Sequence, residues 1–252
     1  MAETKITEQE LSSTLLSGWV PISNSWEYAG NDAPTYAVTV PSGATSLYSP
    51  GMRVKLTQPT DGVKYFIITA VFSSSIYLYG GTDYDLDDEA ITDIYYSTQK
   101  APFGFPLDPD KWTVEISRNT NDPVADTTST DWQNITSINI PIGLWYTILS
   151  AALFVVDDNS ADFIQTFMTL SKANNSEDDL DFSSTYHIRA TQSSSYGIRD
   201  CHNSYRSKIL NLSTKDTYYL NLKTAFNLGA GGTLQLEGTQ SNTIIRAISA
   251  YL

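Results

Sequence analysis

Short segments rich in β-branched and aromatic residues, each closed by a turn signal, set the strongest limit on what this chain can fold into. Tyr36–Val40 (YAVTV), Met52–Gln58 (MRVKLTQ), Lys64–Phe72 (KYFIITAVF) and Ser75–Gly81 (SIYLYGG) are separated by Pro41-Ser42-Gly43, Pro50-Gly51 and Asp61-Gly62. Runs of this length, bounded by Gly and Pro, read as strands and tight turns. The same grammar resumes at Trp112–Ile116 and continues through Gln133–Ile142, Trp145–Val156, Phe163–Ala173, Thr185–Ser193, Tyr205–Ser213, Thr217–Phe226, Gly232–Gly238 and Thr243–Leu252. Within Thr185–Gln192 the polar groups at 185, 187 and 189 alternate with Tyr186, Ile188 and Ala190, the beat of a strand with one buried face. An aromatic share of 12 %, with only 17 % charged residues, suits sheets and interfaces better than helices.

The 252 residues allow one large all-β domain or two of ordinary size. Ala101–Trp112 (APFGFPLDPDKW) interrupts the strand pattern, because Pro102, Pro106 and Pro109 each lack a donor and restrain the residue before them. Exposing Phe103, Phe105 and Trp112 is costly, so this stretch is expected to be a packed linker. The resulting division is a terminal arm at 1–17, a small β-barrel or sandwich at 18–105, a Pro-rich linker at 106–111 and a jelly-roll-like β-sandwich at 112–252. In the arm, Thr7 and Glu10 match a capping box and Ile6, Leu11, Leu15 and Leu16 share a helical face. Too short to stand alone, this helix is expected to dock on a partner.

The first β-unit carries an ordered set of short pieces. They are Gly18–Ala29 (GWVPISNSWEYA), Thr39–Pro41 (TVP), Gly51–Gln58 (GMRVKLTQ), Lys64–Phe66 (KYF), Gly80–Tyr84 (GGTDY) and Tyr95–Ser97 (YYS). In this order they resemble a domain found near the N-terminus of tailed-bacteriophage virion proteins. The resemblance covers a little over a third of the chain. It implies a virion structural or attachment protein assembled in the host cytoplasm: a tail-fibre, baseplate or capsid-surface component held to other virion proteins through its arm and first unit. The last segment, Thr243–Leu252, is similar to the final strand of trimeric jelly-roll heads of phage fibres and of the complement C1q and tumour-necrosis-factor class. That similarity implies a homotrimer with this strand near its axis. A carbohydrate-binding β-sandwich outside any virion is the alternative.

Charge and motifs exclude other classes. The net charge of −13 disfavours nucleic acid and anionic membranes as partners. No apolar run approaches the ~20 residues of a spanning helix, and residues 1–10 have no secretory pattern. One cysteine, Cys201, allows no internal disulfide. Serine is abundant, but there is no G-x-S-x-G elbow and no internal repeat, so no enzyme is expected.

Two candidate sites remain. Asp83, Asp85 and Asp87 in the DYDLDDE run place oxygen ligands at alternate positions, a candidate Ca²⁺ loop that lacks EF-hand spacing. Tyr196, Arg199, Asn203 and Tyr205 lie in a Tyr-, Ser- and Asn-rich stretch read as a loop. Their ring and guanidinium faces suit a host surface glycan or a subunit interface.

Overall fold

The computed structural model describes residues 16–156, 163–189, 199–228 and 231–252, so all of the arm expected at 1–17 except Leu16 and Ser17 lies outside the described residues. The first unit contains β1 (Val20–Pro21), β2 (Glu27–Asp32), β3 (Thr35–Thr39), β4 (Arg53–Gln58), β5 (Gly62–Val71), β6 (Ser75–Tyr79) and β7 (Thr92–Ser97). They form one antiparallel sheet in the order β1-β7-β4-β5-β6-β3-β2, curled almost into a barrel. Its inner face packs Trp26, Tyr36, Val38, Val54, Leu56, Phe66, Ile68 and Leu78.

The second unit runs through β8 (Thr113–Arg118), β9 (Asn121–Pro123), β10 (Gln133–Ile140), β11 (Gly143–Val156), β12 (Phe163–Ser171) and β13 (Ser184–Arg189). It ends with β14 (Arg199–Leu212), β15 (Asp216–Thr224), β16 (Thr233–Glu237) and β17 (Thr243–Ser249). β16 and β17 pair in succession along one side of β11 and behave as a single interrupted strand, as do β8 and β9 against them. One sheet is therefore β8/β9–β17/β16–β11–β14, and it faces β10-β15-β12-β13. This is the strand order of a jelly roll, the eight-stranded double Greek key. Ile138, Leu149, Leu153, Ile164, Met168, Leu220 and Ile245 from both sheets fill the space between them.

The units share core. In β5 the run Phe66-Ile67-Ile68-Thr69 is wholly buried: Phe66 and Ile68 face the first unit's interior, whereas Ile67 joins the sandwich core. A strand covered on both faces loses its alternation, which explains the unbroken apolar run in the sequence. The linker is packed through Phe105, stacked on Trp112 at 5.1 Å and 4°. Tyr79 then bridges Trp112 and Trp145, with centroids 5.9 and 5.0 Å away. Phe103, by contrast, is 83 % exposed, against the expectation of burial. Its carbonyl binds the Trp19 indole N–H at 2.8 Å while its ring points outward. Gly143 sits at φ 126° with Thr69 Cβ only 2.9 Å from where its own Cβ would stand, so the sandwich meets β5 too closely for a side chain.

Arg53 fastens this junction. Its side chain is buried and donates from Nε to Lys100 O (3.1 Å), from Nη1 to Gly51 O (2.5 Å) and from Nη2 to Tyr251 O (3.0 Å). Its guanidinium lies 4.9 Å over the Phe105 ring. Lys215 adds a second link, 3.1 Å from Asp32.

The last strand, expected near a subunit axis, lies inside its own sheet. β17 is paired on both sides, with β11 and with β8, and its alternate residues Ile245 and Ala247 are buried in the sandwich. Ile245 is thereby accounted for, whereas Ile244 and Ile248 lie on the opposite face and are only partly buried.

Arg53→Met is expected to destabilise the whole chain by about 3 kcal/mol, because the one buried cation that joins three main-chain carbonyls of the two units is lost. Arg53→Lys should restore little, since one ammonium does not reproduce the planar fork. Urea unfolding followed by tryptophan fluorescence checks both. An Arg53→Met midpoint equal to wild type would show the contact to be idle.

Candidate interaction surface

The stretch containing the predicted glycan residues is mostly strand. From Arg199 onward the backbone belongs to β14, in register with β11 from Val156↔Arg199 to Gly143↔Leu212. Asp, Asn and Ser have weak strand preference, but the long apolar β11 offers a continuous row of backbone partners, and pairing overrides propensity. The loop expected at Tyr196–Tyr205 is thus corrected over 199–205. Tyr196 and the side chain of Arg199 lie outside the described residues. The structure brings Asn203 and Tyr205 to one face, two residues apart, both exposed.

The two faces of β14 do different work. On the sandwich side, Ser204 Oγ meets Ser184 Oγ at 2.7 Å and Arg206 Nε donates to Ser183 O at 2.9 Å. His202 stacks on Tyr186 at 4.8 Å, and the Tyr186 hydroxyl donates to Asn203 O at 3.0 Å. These contacts tie the rims of the two sheets. On the outer side, hydrogen bonds from Ser207 and Tyr205 draw the Tyr146 hydroxyl below its ordinary range, and the bond to Tyr146 pushes Tyr205 up. Cys201 and His202 are consecutive strand residues and point to opposite faces, while His187 pairs with Gln165 at 3.3 Å.

The acidic runs are spent on fastening loops. Asp83 binds Lys111 at 2.8 Å, which holds its carboxyl below the usual range. Asp85 accepts from the Tyr36 hydroxyl at 3.4 Å, and its carbonyl accepts from Lys64 at 2.7 Å. The main chain of Asp87 is gripped by Gln58, at 2.9 and 3.1 Å. Of the three carboxylates expected to gather Ca²⁺, those of Asp83 and Asp85 are directed to different neighbours, Lys111 and Tyr36. Among the described residues no three His, Cys, Asp or Glu side chains are grouped as metal ligands. In the second acidic loop, Lys208 reaches Asp179 and Asp181 at 2.8 and 2.9 Å and is raised above its ordinary value, first by Asp179. Buried Asn221 holds the same loop through Ala173 O, Ser176 O and Asn175 N.

The sequence reading missed a surface cluster on the other sheet. Lys223 Nζ lies 4.6 Å from the Trp132 ring and 4.8 Å from the Phe167 ring. Trp132 precedes β10, and Lys223 stands opposite Phe167 in the ladder. Only the pairing register places them together, so spacing along the chain gives no signal.

No protein-family model matches the chain, and no curated protein matches it. Among solved structures it is similar to a chain from the infectious bursal disease virus Gx strain, at 12 % identity and TM-score 0.29, over 91 % of this chain and 56 % of that one. Dimeric latent PorU from Porphyromonas gingivalis gives 11 % and 0.32, over 90 % and 24 %. The tandem CBM22 domain of Paenibacillus barcinonensis Xyn10C gives 8 % and 0.26, over 92 % and 94 %. The chain thus spans little more than half of the first of these and a quarter of the second. TM-scores this low reflect shared β-content, and no role is carried over from them. Among the described residues no helix is long and apolar enough to cross a membrane.

Tyr218, buried beside the second acidic loop, gives a pH signature. Burial first, then the charges of Asp216, Asp179 and Asp178, push its hydroxyl from 10.0 to about 12. A raised folded value means stability that is complete below pH 10 and is lost as pH climbs towards 12. Tyr218→Phe should change stability at pH 8 by no more than about 1 kcal/mol and should lose less than wild type between pH 8 and 11. Urea midpoints at the two pH values check this, and parallel losses would contradict it.

Proposed function

We propose that this chain is a non-enzymatic structural or attachment component of a tailed-bacteriophage virion: a tail-fibre, baseplate or capsid-surface element. One observation carries the reading: the ordered pieces of the first unit, from Gly18–Ala29 to Tyr95–Ser97, resemble the virion-side domain. These pieces are also fold determinants. Gly80 leaves room for the Tyr84 carbonyl, 2.0 Å from where a Cβ would stand, and Arg53 within Gly51–Gln58 clasps the sandwich. In this reading the arm and first unit face other virion proteins, copies of the chain form a homotrimer, and the sandwich faces outward, where a host surface glycan is its partner. A carbohydrate-binding module outside a virion is the second reading, favoured by the partly exposed Trp132–Lys223–Phe167 group.

Detection of the protein in purified particles separates the two. Deleting Ala2–Leu16 should leave the melting temperature nearly unchanged and abolish incorporation; full occupancy by the truncated chain would count against the anchor. Tyr196→Ala with Arg199→Ala should weaken cell binding while the assembly stays intact. Unchanged binding removes these residues from recognition.

A further inference from the structure

We propose that the outer face of the β14–β11–β17 sheet is where copies of this chain pack on one another; this deepens the oligomeric reading above and rests on it. The face is built by register. Tyr146 stands opposite Ile209 on one side and Ile248 on the other, Ile148 lies one step along, and Tyr205 and Ile244 flank the next. Their neighbours in sequence, Trp145, Leu149, Leu210, Ile245 and Ala247, fill the sandwich core, so these six point away from it. Ile209 and Tyr205 are 60 % and 59 % exposed, a large apolar outlay for a strand that water alone covers.

Three observations favour a second copy as the occupant. The first is charge. Each copy carries −13, so self-contact is opposed wherever the surface is acidic. The acids fastening the loops lie elsewhere, and the ion pair on this face, Arg246 with Glu115, cancels itself. Tyrosine and isoleucine with charge depleted is the composition of an interface core. The second is the edge. Among the described residues β14 pairs with β11 alone, leaving a 14-residue strand with one open side. Arg206 and Lys208 on its inner side guard the rim between sheets, but the outer side has no such guard. The third is size. At ~3.3 Å per residue and ~4.8 Å between strands, a face fourteen residues long and three strands wide, with β17 continued by β16, measures roughly 670 Å². One partner in a standard interface contributes about 600–1,000 Å².

Light scattering and sedimentation of the full chain over a concentration series test this. Wild type is expected to associate, and Ile209→Lys should raise the midpoint concentration about tenfold or more. Ile209→Thr, which keeps a β-branched strand residue, should shift it in the same direction with an unchanged melting temperature. Phe72→Lys, at an exposed position just beyond β5 in the first unit, should associate as wild type does. Hydrogen exchange should slow in β14 amides as concentration rises. Wild type that stays monomeric throughout overturns both this proposal and the oligomeric reading. Assembly unaffected by both Ile209 variants, or protection confined to other strands, overturns this face alone and leaves the oligomer standing.

Discussion

A guanidinium buried against three main-chain carbonyls is the contact on which the arrangement of the two units depends. Burial pulls the Arg53 proton affinity down from its ordinary value, yet arginine keeps its charge in proteins, so the cost of desolvation is offset by donation to Lys100, Gly51 and Tyr251. Because the same group lies over Phe105, it also fixes the ring that stacks on Trp112. From there the contacts run through Tyr79 to Trp145, deep in the sandwich. The Pro-rich crossing between the units is therefore held by aromatic packing and one cation.

The remaining charges are used in a similar way. Lys111 sits 3.7 Å from the Tyr84 ring while it holds Asp83, and Lys64 reaches both Asp61 and the Asp85 carbonyl. Few cations serve many acids, and Lys64, Lys111 and Lys208 each act as a fixed point for an acidic loop.

Strands were readable in the sequence wherever one face meets water, because burial then imposes a two-residue beat. The jelly-roll class and the first sheet follow from that beat together with the turns at Pro41–Gly43 and Asp61-Gly62. Reading failed where pairing or tertiary contact decides. Arg199–Tyr205 has the composition of a loop and becomes strand only because β11 is long enough to template it. The internal place of β17 depends on a strand order that no local pattern records. Asp83, Asp85 and Asp87 have a ligand-like spacing, but the basic and amide side chains that hold their loop come from distant positions. Asn203 and Tyr205 share a face as alternation requires, whereas the meeting of Trp132 with Lys223 needed the register.

The bond from Arg53 to Tyr251 joins residues 198 positions apart. Bringing such distant segments together has a large entropic cost, and contacts of this span form late. While the chain is being synthesised, the first unit exists for most of that time with its guanidinium solvated and the outer side of β5 uncovered. The half-made protein is thus a different object from the finished one, with Ile67 and Tyr79 exposed until the sandwich arrives. Tyr79 is covered once Trp112 and Trp145 pack on it, and the bond from Arg53 to Tyr251 then joins the first unit to the end of the sandwich.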